Sequence, residues 1–316
     1  MIMAHGIPDF RIGPDFRIGI DLGGTKTEIV ALGRDGDILY RRRATTPSFY
    51  GPSLQQIASM VEAAEQALGG HGSVGMGIPG TIDARTGLVK NANSTYLIGH
   101  ALDRDLAELL HRPIRVENDA NCFALSEASD GAAAGMSVVF GVILGTGCGG
   151  GIVVNGHALT GRHRIAGEWG HNPLPWPDAE DLPMPACWCG QHGCLETYLS
   201  GPALAASCDG PGSHDAHALP ERAQTGDFAA QQALDKHADR LARGLAAIVN
   251  VLDPDAIVLG GGLSAMDHLY SALPGLMARH VFNDGCDTPV LKNRHGDSSG
   301  VRGAAWLWPA PEPLPG

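Results

Sequence analysis

A strand, a glycine turn and a returning strand occur twice in this chain, once in each half, and few architectures accommodate that echo. Phe16, Ile18, Ile20 and Leu22 alternate with period two, which predicts a strand. Gly23-Gly24-Thr25-Lys26 then turns the chain, and residues 27–32 and 38–43 read as the next two strands. A helix opens at Pro52-Ser53, carries Leu54, Ile57, Val61 and Leu68 on one face, and stops at Gly69-Gly70. Residues 73–78 form a strand ending in Pro79-Gly80; a helix at 103–110 and a strand at 114–117 follow. An alanine-rich helix then runs to about residue 134. Here the pattern restarts: an apolar strand at 137–144, the glycine run 145–151, a short strand at 152–154 and an Asn155-Gly156 hairpin turn. The repetition predicts a duplicated α/β architecture with a cleft between its halves. Beyond it lie a loop at 208–220, a long helix at 228–252 broken by Asp253-Pro254, a strand at 256–259, the turn Gly260-Gly261-Gly262 with Ser264 as the next N-cap, and a last helix near 303–308 before a proline-rich tail. Residues 8–13 (PDFRIG) are repeated at 14–19, and only the second copy enters the first strand, so residues 1–15 read as an extension without a structural role.

A second feature lies in residues 167–196. Cys187, Cys189 and Cys194, spaced CxC and CxxxxC, join His171 in a Cys3His set suited to tetrahedral zinc. His192 is a rival fourth ligand; a redox dithiol loop and unrelated buried cysteines are the other readings. Gly190 and Gly193 allow the tight turn such a site needs. Glu168 precedes His171 and Glu196 follows Cys194, so a structural metal here would pin two carboxylates onto one polar ligand.

A net charge of −12 argues against nucleic-acid or membrane-surface binding, since either wants a basic face. It leaves ATP open, because backbone N–H groups and a metal meet phosphates locally. The remaining cysteines, Cys122, Cys148, Cys208 and Cys286, are scattered and suit a reduced, cytoplasmic protein. No apolar run is long enough to span a membrane, and no signal peptide opens the chain.

Gly145-x-Gly147-x-x-Gly150 matches the dinucleotide fingerprint in letters, but a strand and not a helix follows, and no GxxxxGK[ST] loop exists. What remains is two glycine hairpin tips and a third loop at 260–262, all of which can bring N–H groups to phosphate. Asp21, at the end of the first strand, is placed to hold Mg2+ through water. Asp119 sits where a strand hands over to a helix and is a candidate base for a hydroxyl proton; capping of that helix by Asn118 or Asp119 is the plain alternative.

Asp21–Lys26, Asn118–Asn121, 145–151, 167–171, 187–194 and 260–262 together resemble the ROK family of sugar kinases and repressors, over nearly the whole chain from about Phe16. The resemblance is nearest to the bacterial fructokinases of that family, through residues 91–95, 171–176 and 295–303, although Tyr96 stands where those enzymes are expected to carry tryptophan. Residues 118–127 also read like the family's N-acetylglucosamine kinases. The resemblance implies an actin-like ATPase (ribonuclease H-like) fold with lobes at 16–121 and 122–300, the second carrying a zinc-binding loop at 168–196. A C-terminal helix at about 301–316 would pack on the first lobe. It implies Asp119 as catalytic base; Gly80, Asn93, Asn118, Glu168, His171 and Glu196 as sugar contacts; and Asp21, Gly23, Gly24, Thr25, Lys26, Gly145, Thr146, Gly147, Gly149 and Gly150 around ATP and Mg2+. Gly260, Gly261, Gly262 and Leu263 would face the adenosine. It also implies zinc on His171, Cys187, Cys189 and Cys194, and a homodimer. The fifteen or so residues before the first strand are too few for the winged-helix domain of the family's repressors. The expectation is therefore an ATP-dependent kinase acting on the 6-hydroxyl of D-fructose. Mannose, glucose or N-acetylglucosamine kinases, or a sugar-responsive regulator without useful catalysis, are the alternatives.

Overall fold

The computed structural model describes residues 16–309. The extension at 1–15, with the first PDFRIG copy, and the proline-rich tail from 310 onward lie outside the described residues. The chain divides into two compact units. One comprises the described residues up to Asp119 together with those from Ala304; the other is Ala120–Gly303.

In the first unit, β1 (Arg17–Leu22), β2 (Lys26–Leu32) and β3 (Ile38–Thr45) form an antiparallel meander. After α1 (Tyr50–Leu68), β4 (Ser73–Ile78) pairs parallel to β1. A small hairpin of β5 (Thr81–Ile82) and β6 (Val89–Lys90) and helix α2 (Leu102–Leu110) precede β7 (Ile114–Asn118), which pairs parallel to β4. The sheet order is β3-β2-β1-β4-β7. Ile18, Ile20, Ile57, Val61, Val74, Met76 and Leu106 fill its core. Arg17 is fully buried and stays paired: Nη2 donates to the Gly33 and Arg34 carbonyls, and its guanidinium stacks 3.7 Å over Trp306. On this face the chain backbones nearly touch, and a Cβ on Gly75 would lie 1.9 Å from the Ala304 carbonyl.

The second unit repeats the plan. Helix α3 (Asp119–Ser129), whose first residue ends the preceding unit, leads to β8 (Val138–Leu144), β9 (Cys148–Val154) and β10 (His157–Ala158). Then come α4 (Glu196–Leu199), α5 (Gly201–Asp209), α6 (Leu219–Gln224), α7 (Phe228–Leu252), β11 (Ala256–Gly260), α8 (His268–Met277), β12 (Val290–Lys292) and α9 (Ser299–Trp306). The sheet order is β10-β9-β8-β11-β12, again an antiparallel hairpin continued by parallel strands. Asp227 caps α7 through Ala230 N–H, and Asp253 ends it with φ 47°. The α7 face bearing Leu234, Leu241 and Leu245 belongs to the core of this unit. Among the described residues no helix is long and apolar enough to cross a membrane, and no cysteines are joined.

Several elements differ from the sequence reading: Ser264 lies inside a 3-10 turn at Gly262–Ala265 and does not cap α8, whose N-cap position is Asp267, and the last helix begins at Ser299. The alanine-rich helix stops at Ser129 and does not reach 134. Buried Glu127 accepts N–H bonds from Ala132 and Arg294 and the hydroxyl of Ser299, so its carboxylate draws the following backbone out of helical register. The glycine run is only in part a turn. Gly149, Gly150 and Gly151 lie within β9, paired with Ile143, Val142 and Gly141. They are strand residues placed against close neighbours: a Cβ on Gly151 would lie 2.5 Å from the Ala120 carbonyl, and one on Gly150 2.8 Å from the Trp169 ring.

His237 on α7 is buried, and its Nε2–H donates to the Leu199 carbonyl at 3.0 Å. Burial pushes its pKa down to about 4, below the ordinary value near 6.5. Between those values the unfolded chain takes up the proton more readily, so this contribution is complete above pH 6.5 and is lost as pH falls toward 4. Unfolding followed across that window should show an acid-side loss of up to about 3 kcal/mol at this site. His237→Gln should flatten it.

Candidate active site

In the first unit the candidate residues gather at two places. The β1–β2 hairpin tip is closed by Gly23 N–H donating to the Lys26 carbonyl at 3.0 Å and by Thr46 Oγ1 donating to the Gly23 carbonyl. A Cβ on Gly23 would meet the Lys26 carbonyl at 2.9 Å, while Gly24, Thr25 and Lys26 stand exposed. Asp21 pairs across the hairpin with Glu28, which Arg41 and Arg43 hold at 2.6 and 2.7 Å. Burial, followed by the charge of Glu28, pushes the Asp21 carboxyl up to about 6. An under-neutralised carboxylate of this kind suits a hard cation that binds through one or two carboxylates and retained water. At the C-terminal ends of parallel strands β4 and β7, Asn118 Nδ2 donates to the Gly80 carbonyl at 3.3 Å and Asn93 N–H to the Pro79 carbonyl at 3.2 Å. A Cβ on Gly80 would meet Ala92 at 2.9 Å. Gly80, Asn93 and Asn118 thus share one corner, and Asp119 follows directly as the first residue of α3.

In the second unit the glycine turn, the metal loop and α4 meet. Gly145 N–H donates to the Gly147 carbonyl, and the Gly145 carbonyl accepts from Gly201 N–H at 2.7 Å, which ties the turn to α5. Trp169 is 2 % exposed; its Nε1–H donates to the Gly149 carbonyl at 2.9 Å, and its ring meets Phe140 edge-on. This anchor carries Glu168 and His171 on the short 3-10 turn around it. Burial raises the Glu168 carboxyl above its ordinary range; neighbouring His171 opposes that shift and the charge of Glu196 adds to it. Glu196 opens α4, and its Oε2 accepts Cys148 N–H at 2.9 Å. A Cβ on Gly147 would lie 2.7 Å from that same oxygen.

The ligand atoms of His171, Cys187, Cys189 and Cys194 all lie within 4.8 Å of one another. The Cys189 and Cys194 sulfurs are 3.6 Å apart, as are Cys187 Sγ and His171 Nδ1. These separations match the edges of a tetrahedron with ligand bonds of about 2.0–2.3 Å, so the donor set fits zinc. His192 is outside this group; its backbone bridges Ala186 in the loop hairpin. Gly190 and Gly193 adopt φ of 90° and 73°, which the turn requires. The loop is pinned to α7 by buried Asp181, which accepts from Arg240 at 2.8 Å and Arg243 at 2.9 Å.

A cavity of about 400 Å3 opens beside the glycine turn, lined by Gly145, Thr146, Gly262 and Leu263 together with Gly201, Pro202, His214, Ala216 and His217. The last five were missed by sequence reasoning. Residues 208–220 read as an exposed loop; most of the stretch between α5 and α6 is exposed, and His214, Ala216 and His217 within it line the cavity. Their only signal is a local density of histidine and glycine, which many surface loops share. Gly260 and Gly261 have packing roles: their Cβ atoms would lie 2.4 Å from the Phe123 ring and the Leu144 carbonyl.

The ROK family model matches residues 17–310. Curated relatives include the N-acetyl-D-glucosamine kinase of Yersinia enterocolitica, 38% identical over 296 residues, covering 92% of this chain and 98% of the relative. The ROK hexokinase of Thermus thermophilus superposes with a TM-score of 0.81 at 33% identity, over 92% of this chain and 97% of that one. A ROK glucokinase of Streptomyces griseus, solved in complex with glucose and AMPPNP, superposes with a TM-score of 0.73 at 28% identity, over 92% and 98%. The fold is therefore the actin-like ATPase fold of that family. The fructokinase expectation is corrected: curated relatives from Yersinia, Photobacterium and Escherichia that match nearly end to end are N-acetyl-D-glucosamine kinases. Much of the sequence that suggested fructose serves the framework. His295 and Arg302 bind Asp130, Ser299 binds Glu127, and the Trp176 carbonyl accepts from Arg243. Such residues carry no information about a sugar's substituents.

Gly170 tests how closely the anchor is built. Its Cβ would lie 1.9 Å from the Cys148 carbonyl, which is backbone and has no room to retreat. Gly170→Ala should cost more than about 2 kcal/mol in chemical denaturation.

Proposed function

The chain belongs to the ROK family of sugar kinases, and from that premise we propose that it transfers the γ-phosphoryl group of ATP to the 6-hydroxyl of N-acetyl-D-glucosamine. The observation that carries the sugar is the near end-to-end match to N-acetyl-D-glucosamine kinases. It is supported by carboxylates where a polyhydroxylated ligand needs acceptors. Sugar hydroxyls and an acetamido N–H are donors, and the carboxylate oxygens of Glu168 and Glu196 can accept from them. In the first unit, Asn118 and Asn93 offer further donors and acceptors, and Gly80 leaves their corner without a side chain. Pairing buried hydroxyls in this way discriminates strongly against sugars that leave an acceptor unmet.

Asp119 accepts the proton of the 6-hydroxyl as the oxygen attacks the γ-phosphorus and the bond to the bridging oxygen of ADP breaks. Phosphoryl transfer asks a protein mainly for alignment and charge neutralisation, so a single positioned carboxylate suffices as base. Each hairpin tip, through Gly24 and Thr25 or through Thr146 and Gly147, would offer backbone N–H groups to phosphate; the Gly23 and Gly145 N–H groups close their own turns. Gly145 supports this reading, because nothing lies within 4 Å of where its Cβ would be. Packing does not demand glycine there, and the open space leaves room for a phosphate to approach the turn. The cavity beside Thr146, Gly262 and Leu263 takes the adenosine. Asp21 would hold Mg2+, which when bound supplies positive charge at the phosphates. His171, Cys187, Cys189 and Cys194 would hold zinc, a structural ion that fixes the loop between the two glutamates.

ADP release should be measured with ATP and Mg2+ against N-acetylglucosamine, glucose, mannose, fructose and no sugar. A preference for N-acetylglucosamine of at least about tenfold, or 1.4 kcal/mol of differential transition-state binding, is expected. Equal or better turnover of glucose or mannose would move the substrate and leave the family and fold unchanged. Asp119→Asn should lower kcat by roughly 10²–10⁴ while sugar binding by calorimetry persists; near-normal turnover would remove Asp119 as base.

A further inference from the structure

Trp188 stands between two cysteines of the metal loop with a relative exposure of 75%. An indole so exposed buries little apolar area and contributes little to folding. Its polar edge is nonetheless engaged. Nε1–H donates to Glu196 Oε1 at 2.7 Å, and the ring meets His171 edge-on, with centroids 4.9 Å apart and planes at 85°. The other oxygen of Glu196 accepts Cys148 N–H at 2.9 Å. A glutamate carboxylate turns readily about its terminal torsion when one oxygen alone is held. A second donor on the second oxygen fixes its plane, and bonds to an ionised acceptor are the strong ones.

We propose that Trp188 is a positioning residue of the sugar site. Its indole N–H sets the plane of the Glu196 carboxylate, so that the remaining lone pairs face the sugar hydroxyls. The metal loop acts on the sugar through this bond: His171 braces the ring, and Cys187 and Cys189 hold the backbone on either side of it. This inference rests on the reading of Glu196 as a sugar contact.

Trp188→Phe keeps an aromatic ring beside His171 and removes only the donor. The KM for N-acetylglucosamine should rise about tenfold, the scale of one charge-assisted hydrogen bond, while the KM for ATP and the zinc content per chain stay at wild-type values. Trp188→Phe combined with Glu196→Gln should be no worse than Glu196→Gln alone. The wild-type minus Trp188→Phe fluorescence difference should change when the sugar is titrated in without ATP. A sugar KM within twofold of wild type, an equal rise in both KM values, or loss of zinc would each overturn the proposal. If Glu196→Gln raises the sugar KM and Trp188→Phe does not, Trp188 alone is removed. If Glu196→Gln leaves it unchanged, the reading of Glu196 fails and this inference falls with it.

Discussion

The carboxylate of Glu196 joins three parts of the second unit that are distant in sequence. One oxygen takes the N–H that follows the glycine turn, the other takes the indole of the metal loop, and the residue itself opens α4. Both bonds are charge-assisted and so stronger than neutral ones. They matter because the segment between β10 and α4 contains only short 3-10 turns and isolated bridges as regular structure. A long irregular segment holds one shape only when several independent pins act on it. Glu196 is one pin; the Cys3His donor set, the Trp169 anchor and the Asp181 pair with α7 are the others. Both candidate sugar carboxylates of this unit sit among them.

The glycines fall into two physical classes. At Gly75, Gly170 and Gly303 a Cβ would lie within 2 Å of a carbonyl oxygen of a neighbouring segment. These residues let backbones nearly touch, which sets element spacing and is incompatible with any side chain. Gly145 has open space at the same position. Motif counting treats both classes alike, which is why 145–151 looked like one loop when it is a turn followed by a strand.

Local chemistry made much of the architecture legible. Alternating Phe16–Leu22, the capped and broken helix at Phe228–Leu252 and the repeated hairpin all depend on period, propensity and turn residues within a short window. The metal donors were legible because CxC and CxxxxC spacing constrains three of the four. The end of α3 was not, since it depends on Glu127 meeting Arg294 and Ser299, far along the chain. The wall of the cavity at His214–His217 was not, because nothing local says which way a polar loop folds. The substrate was misread for a related reason: motifs common to a subfamily mix packing residues with recognition residues, and only burial and bonding separate them.

By itself the sequence determined two hairpin-and-strand halves, a Cys3His donor set flanked by glutamates, and the family that carries them. These follow from interactions between near neighbours, whose geometry the backbone restricts. Only the tertiary structure decided that His171 completes the donor set and His192 does not, that Trp188 holds Glu196, and that His214, Ala216 and His217 line a cavity. Each of those depends on the final separation of groups that no local rule relates. Packing and hydrogen bonding across the folded unit set that separation.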